Sequence, residues 1–223
     1  LGLRTLSTIE LCKKNIRQTL DDRAIRAAVG AGESDPDPLD LDRISLDDDR
    51  VLALFRRSDT VGVFQFESGG MRRLLGEMKP DRIEDLIAAN ALFRPGPMDL
   101  IPDYCARKNG TQAVPAVHDI VDEYTRDTYG IMVYQEQVMQ IVHGLGDIPL
   151  RQAYTLIKAI SKKNIDIIDS ARSGFIDGAS KKGLGRDEAE ELFELILKFA
   201  GYGFNKSHST GYAIIAYQTA WLK

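Results

Sequence analysis

The sequence is poor in the residues that build metal and disulfide sites. Its two cysteines, Cys12 and Cys105, lie far apart with no CxxC partner, and its three histidines, His118, His143 and His208, are equally dispersed. That scarcity argues against a zinc site and a disulfide framework, and it suits a reducing, cytoplasmic compartment. No apolar run approaches the roughly 20 residues of a membrane span. Arg4 and Glu10 interrupt any apolar start, so no signal peptide is expected there. No internal repeat is visible, and the only low-complexity tract is acidic.

What remains is an ordinary globular composition: 223 residues, 43% hydrophobic and 28% charged, long enough for one large domain or two small ones with a sizeable core. The net charge of −4 is unfavourable for a nucleic-acid binder, but it is unevenly spread. From Glu33 to Arg50 there are eight acids against two bases, a local −6, which leaves +2 on the rest of the chain. Arg151 to Lys163 holds four bases and no acid. Such a strip can hold phosphates even on an acidic chain, or it can be a solvated helix face.

Hydrophobic spacing predicts helices almost throughout. The expected order is Thr5 to about Leu20, then Asp22 to Val29, then an acidic loop over Gly30 to Pro38. That loop lacks the fixed spacing and closing glutamate of a calcium loop. Leu46 to Arg50 opens a helix running to about Arg57, its acids favouring the helix dipole rather than converging on a metal. Val61 to Phe66 is β-branched and apolar enough for a short strand. Ser68 is a candidate N-cap for a helix whose Met71, Leu74, Leu75 and Met78 share a face. Asp81 with Glu84 reads as a capping box for the next helix, with Ile83, Leu86 and Ile87 inward.

Phe93-Arg94-Pro95-Gly96-Pro97 forms a stiff corner that presents Arg94 to a phosphate or to backbone carbonyls. Met98 to Lys108 is helical, and Thr111 to Asp119 irregular with His118 exposed. Tyr129 to Tyr134 is a strand or the start of a helix. In the helix beginning at Gln135, Tyr134, Val138, Ile141, Val142 and Leu145 point inward, and Gln135, Glu136, Gln140 and His143 outward. Leu150 to Ser161 is the basic helix. Asn164 caps the next, with Ile165, Ile168, Arg172, Phe175, Ile176 and Ala179 in one stripe. Asp187 to Phe199 buries Leu192, Phe193, Ile196 and Phe199, and a last helix ends in Tyr217, Trp221 and Leu222. Leu1-Gly2-Leu3 reads as a strand end or turn. An apolar last helix without a stop signal, and a first residue other than Met, suggest a piece of a longer chain. The expected fold is mainly α, an irregular multi-helix domain with at most a few short strands.

The stretch from Phe199 to Ser209, Phe-Ala-Gly-Tyr-Gly-Phe-Asn-Lys-Ser-His-Ser, is too polar for a core and too aromatic for an idle loop. Its glycines let backbone approach a ligand, Lys206 offers a charge for a phosphate, and Ser207 or Ser209 can cap the following helix, whose free N–H groups favour an anion. The plain alternative is a helix–helix turn with packed aromatics.

Several motifs occur together and in order: Leu1-Gly2-Leu3-Arg4-Thr5-Leu6, Val63-Phe64-Gln65-Phe66-Glu67-Ser68, Phe93-Arg94-Pro95-Gly96-Pro97, Tyr129-Gly130-Ile131-Met132-Val133-Tyr134-Gln135-Glu136-Gln137, and Gly201-Tyr202-Gly203-Phe204-Asn205-Lys206-Ser207-His208-Ser209. In that set the chain resembles, from end to end, the alpha subunit of bacterial DNA polymerase III, the C-family of replicative polymerases. The resemblance implies that residues 1–20 are the end of the palm and a connecting helix, and residues 21–223 the fingers, truncated at the C-terminal end. It places the three metal-binding aspartates upstream of Leu1, so no catalytic or metal-binding residue is expected in this chain, and the chain alone is expected to be inactive. The implied reaction of the whole enzyme is DNA-templated phosphodiester formation from deoxynucleoside triphosphates (dNTPs), with two Mg2+ ions at the palm. Implied partners are primer-template DNA, dNTP, and other replicase subunits such as the sliding clamp.

Fingers need cations that neutralise the triphosphate as pyrophosphate forms. Arg94, Lys158, Lys162, Lys163 and Lys206 are the candidates, with His208 a lesser one. Tyr202, Phe204 and Asn205 are candidates for loop or base packing. Where many family members carry two arginines in the basic helix, this sequence has Ile157-Lys158, which keeps one charge and loses the bidentate fork. A free-standing helical module that binds nucleic acid or protein is the alternative. A hydrolase built on Ser207 or Ser209 with His208 is disfavoured, because neighbours at one helix start do not face each other and no orienting carboxylate is evident.

Overall fold

The computed structural model describes residues 4–223; the turn or strand end expected at residues 1–3 lies outside them. Twelve α-helices make up the described chain: α1 Arg4–Thr19, α2 Asp22–Val29, α3 Asp49–Arg56, α4 Gly69–Met78, α5 Ile83–Leu92, α6 Ile101–Lys108, α7 Asp119–Thr125, α8 Gln135–Gly144, α9 Leu150–Ser161, α10 Ile165–Lys181, α11 Arg186–Ala200 and α12 Lys206–Leu222. Two short 3-10 segments, Pro97–Leu100 and Arg126–Thr128, lead into α6 and out of α7. Among the described residues there is no sheet, only one isolated parallel bridge between Tyr134 and Phe204. The mainly α expectation holds.

Two apolar clusters organise these helices. The first gathers α3 to α6, the extended Ile131–Tyr134 segment and α12, around fully buried Phe55, Phe66, Tyr104, Tyr134 and Tyr217. Helix α5 is its axis: Leu86 to Ala89, Ala91 and Leu92 are all buried, as a helix that is apolar on every side must be. Its most extensive partner is α12, whose Ala213, Ala216 and Ala220 let the two backbones approach. The second cluster gathers α7 to α11 around Phe175 and Phe193, rings 5.4 Å apart. Each fully buried side chain of this size contributes roughly 1.5–3 kcal/mol.

The expected faces of α4, α8 and α11 are buried as their spacing predicts. Ser68 caps α4 by accepting from Met71 N at 3.2 Å, and Asn164 caps α10 by accepting from Ile167 N. Four local expectations fail for physical reasons. Val61 to Phe66 is a pair of turns rather than a strand: Thr60 Oγ1 donates to Phe66 O at 2.6 Å, Gly62 and Gln65 take positive φ, and Val63 and Phe66 are both buried three residues apart. Asp81 does not box with Glu84. Instead Asp85 accepts from Asp81 N at 3.1 Å, and the Asp81 carboxylate turns to Lys108 at 2.8 Å. His118 is not idle: its Nδ1 accepts from Ile120 N at 3.2 Å to cap α7, which leaves Nε2–H to donate to Lys182 O at 3.1 Å. Ile165 leaves its stripe, 68% exposed at the first position of α10.

Candidate nucleotide and nucleic-acid interface

The glycine-rich stretch connects α11 to α12 and crosses the proline corner. Arg94 Nε donates to Ala91 O at 2.8 Å and its Nη2 to Tyr202 O at 2.5 Å, while its guanidinium lies 4.3 Å from the Phe204 ring centroid. The corner therefore presents Arg94 to carbonyls and to an aromatic face, and burial lowers its pKa from the ordinary value. Gly96 has φ +98°, and a Cβ there would stand 2.5 Å from the Tyr202 ring. A Cβ on Gly203 would meet Gln135 Cγ at 2.8 Å. These glycines make room for protein: the corner and the loop fit each other through them.

Helix α12 is capped by Asn205, not by Ser207 or Ser209. Asn205 Oδ1 accepts from His208 N at 2.8 Å. Ser209 is fully buried and donates to Ile87 O at 2.6 Å, pinning α12 to α5. With its hydroxyl buried between two helices and out of reach of a substrate, Ser209 cannot serve as a nucleophile, so the hydrolase alternative loses one of its two serines. The anion expected at the helix start is present within the chain. Glu136 of α8 accepts from Asn205 Nδ2 at 2.8 Å and from Lys206 N at 3.0 and 3.1 Å.

A row of rings runs along the outside of this joint. Phe204 and His208 are 5.4 Å apart, His208 and Tyr212 4.5 Å, and Tyr212 and Phe64 5.3 Å. Tyr202 is 52% exposed beside them. Lys206 Nζ lies 5.4 Å from the Tyr134 ring and, among the described residues, is in no ion pair. Arg94, Tyr202, Phe204 and His208 are thus brought together with the Asn205 cap, whereas the Lys206 side chain turns to the Tyr134 side, into a small cleft it lines with Glu84, Ile87, Asp127 and Thr128.

The remaining candidates stand on another element. Lys158 lies on α9 with Nζ 4.4 Å from the Tyr154 ring, Lys162 is the C-cap, and Lys163 follows in the left-handed region at φ 55°. All three are exposed. Ile157 is buried in the second cluster, so of the position pair Ile157-Lys158 only the lysine faces solvent. No hydrogen bond joins these lysines to the Lys206 surface among the described residues; α9 reaches it through α8, on which it packs.

A family model described as the bacterial DNA polymerase III alpha subunit finger domain matches residues 5–183. The chain belongs to this family. Over its whole length it is 47% identical to the DNA polymerase III subunit alpha of Xylella fastidiosa strain 9a5c, 44% to that of Neisseria meningitidis strain MC58, and 41% to that of Bacillus subtilis strain 168. It covers 18%, 18% and 19% of those proteins respectively, so it spans about a fifth of the length of the curated relatives it matches.

Among the described residues, no group of three or more His, Cys, Asp or Glu is arranged to hold a metal ion. No helix is long and apolar enough to cross a membrane. Sequence reasoning missed Glu136, which it placed on a solvated face. Its partners are 69 and 70 residues away, and no local spacing reports on that distance. It also missed Gln137, which is buried and ties the bend before α8 together: its Oε1 accepts from Val133 N and Tyr134 N at 2.8 and 2.9 Å, and its Nε2 donates to Thr128 Oγ1 at 2.8 Å.

Proposed function

We propose that this chain forms the fingers of a DNA-directed DNA polymerase, residues 21–223 serving as fingers and 1–20 joining them to the palm. In this reading it binds the incoming dNTP and the template strand. The observation that carries it is a set of cations in no ion pair among the described residues, exposed Lys158, Lys162 and Lys163 at the C-terminal end of α9 and half-buried Lys206 at the start of α12, in a chain whose family is a polymerase fingers domain. The whole enzyme joins the primer 3′-hydroxyl to the α-phosphate of the dNTP and releases pyrophosphate. Charge gathers on the leaving phosphates as that bond breaks, and positioned ammonium groups stabilise it. Lys206 meets the triphosphate, and Lys158, Lys162 and Lys163 meet phosphates of nucleotide or template. His208 stands between the rings of Phe204 and Tyr212, where an imidazole can add a hydrogen bond. Arg94 supports from beneath by holding Tyr202 and Phe204. The aromatic row offers faces on which a base can stack. Magnesium supplies charge neutralisation at the palm carboxylates when bound, outside the residues described here. The enzyme works in the cytoplasm with primer-template DNA and with other replicase subunits such as the sliding clamp.

The test is steady-state single-nucleotide incorporation by the complete polymerase subunit. Lys206→Ala is expected to raise the KM for dNTP, and a Lys162→Ala, Lys163→Ala pair to weaken DNA or nucleotide binding with a shallower salt dependence. An unchanged KM in Lys206→Ala removes Lys206 from the triphosphate. The chain by itself is expected not to extend a primer in magnesium; measurable incorporation would overturn the placing of its catalytic carboxylates elsewhere.

A further inference from the structure

We infer that Glu136 is a positioning residue for nucleotide binding: its carboxylate ties the start of α12 to α8 and thereby sets where Lys206 stands. The inference rests on the reading that Lys206 meets the triphosphate. Glu136 lies in the first turn of α8. One of its oxygens accepts from the amide of Asn205 at 2.8 Å, and both lie 3.0–3.1 Å from Lys206 N. A single carboxylate therefore holds the capping side chain and the first backbone amide of α12, at the helix end where the dipole favours negative charge.

Two further contacts make the joint stiff. Gln135 N donates to Phe204 O at 2.9 Å, completing the Tyr134–Phe204 bridge. Gly203 lies so close to Gln135 that a side chain there would meet Cγ at 2.8 Å. Residues 203–206 are thus docked on the first turn of α8 by side chain, backbone and shape together. The two helices that meet there have different anchors. Helix α8 packs on α9, which carries Lys158 and is followed by Lys162 and Lys163, whereas α12 packs on α5. The joint accordingly links the helix that begins at Lys206 to the helix on which α9 packs.

The same contacts exclude a simpler picture. The Lys206 amide is taken by Glu136 and the His208 amide by Asn205 Oδ1, so the start of α12 has little backbone left to offer a phosphate. What the loop offers is the Lys206 side chain, whose reach depends on where its backbone is held. Glutamine at 136 would keep the shape but set an NH2 group against the donors of Asn205 or Lys206. Aspartate would keep the charge on a shorter arm.

The experiment compares the complete polymerase subunit with its Glu136→Gln, Glu136→Asp, Lys206→Ala and Glu136→Gln/Lys206→Ala variants, by single-nucleotide incorporation and by hydrogen exchange over residues 201–208. Glu136→Gln is expected to raise the KM for dNTP about tenfold, as loss of one charge-assisted hydrogen bond can, with a smaller change in kcat. Exchange over 201–208 is expected to quicken while that of α5 does not. The KM effect is expected to vanish in the Lys206→Ala background, and Glu136→Asp to recover part of it. Unchanged exchange overturns the inference whatever the kinetics, as do additive effects in the double variant. If Lys206→Ala raises KM and Glu136→Gln does not, the inference falls and the Lys206 reading stands. If Lys206→Ala leaves KM unchanged, the Lys206 reading falls, and the inference with it.

Discussion

Lys108 Nζ on α6 stands 2.9 Å from Asp85 Oδ2 on α5, with side-chain exposures of only 4% and 0%. Burial pushes the Asp85 carboxyl above its ordinary pKa, and the hydrogen bonds from Lys108 and from Asp81 N oppose that rise. The Tyr104 hydroxyl, 3.4 Å from Asp85 Oδ1, closes the apolar side. Removing Lys108 leaves the buried Asp85 carboxylate with only the more distant Arg82 Nε, at 3.6 Å, as a cation. Lys108→Met is therefore expected to cost about 3 kcal/mol in unfolding free energy. Adding Asp85→Asn in that background should return part of it. Urea unfolding curves check both; equal midpoints for wild type and Lys108→Met would show that the pair is not coupled to folding.

Asp48 brings a pH dependence of defined sign. The Arg50 side chain holds its carboxyl below the usual carboxylate range, burial opposes, and the Arg50 backbone N–H adds to the lowering. With the folded pKa depressed, the unfolded chain binds the proton more tightly. The contribution is present above about pH 4, the ordinary aspartate value, and is lost as pH falls through the lower folded value. Asp48→Asn should flatten the stability-against-pH curve below about pH 4 and leave its slope near neutrality unchanged.

Two glycines of α10 separate packing from propensity. A Cβ on Gly178 would stand 2.2 Å from the backbone oxygen of Gly146, whereas one on Gly174 meets nothing within 4 Å. Gly178→Ala is expected to destabilise by about 1–3 kcal/mol through overpacking. Gly174→Ala should stabilise by roughly 0.5–1 kcal/mol, as alanine does in an open helix position. Thermal melts of the pair, shifting in opposite directions, are the expected result.

Arg94→Lys preserves charge and removes the fork. A lysine cannot reach Ala91 O and Tyr202 O together while lying over Phe204. The expected outcome in the complete subunit is a raised KM for dNTP with a smaller loss in kcat, because the loop beside Lys206 loosens. Restored kinetics in Arg94→Lys would limit the role of Arg94 to its charge.

The helices were legible because their signals are local. Met71, Leu74, Leu75 and Met78, or Leu192, Phe193, Ile196 and Phe199, repeat at the spacing that turns one face inward, and the structure buries each of them. Turns were harder. Val63 and Phe66 carry strand propensity, yet Thr60 and two positive-φ residues fold the segment back on itself. Caps failed where a distant group competed. Asp81 turned to Lys108 on another helix, and Ser209 was drawn into the α5 interface, leaving Asn205 to cap α12. Of the candidate residues, the part that each plays within the fold was not legible.

The sequence by itself determined the helical class, most of the inward faces and the family, since periodicity and ordered motifs are properties of the chain taken one stretch at a time. Only the tertiary structure decided which charges are spent internally and which remain free. Arg94 is bound to two carbonyls, Glu136 occupies the start of α12, and Lys158, Lys162 and Lys163 stay exposed. The physical reason is that a polar group takes whichever partner the packing brings within hydrogen-bond reach, and for Arg94 and Glu136 that packing brings up a segment about 70 to 110 residues away in sequence.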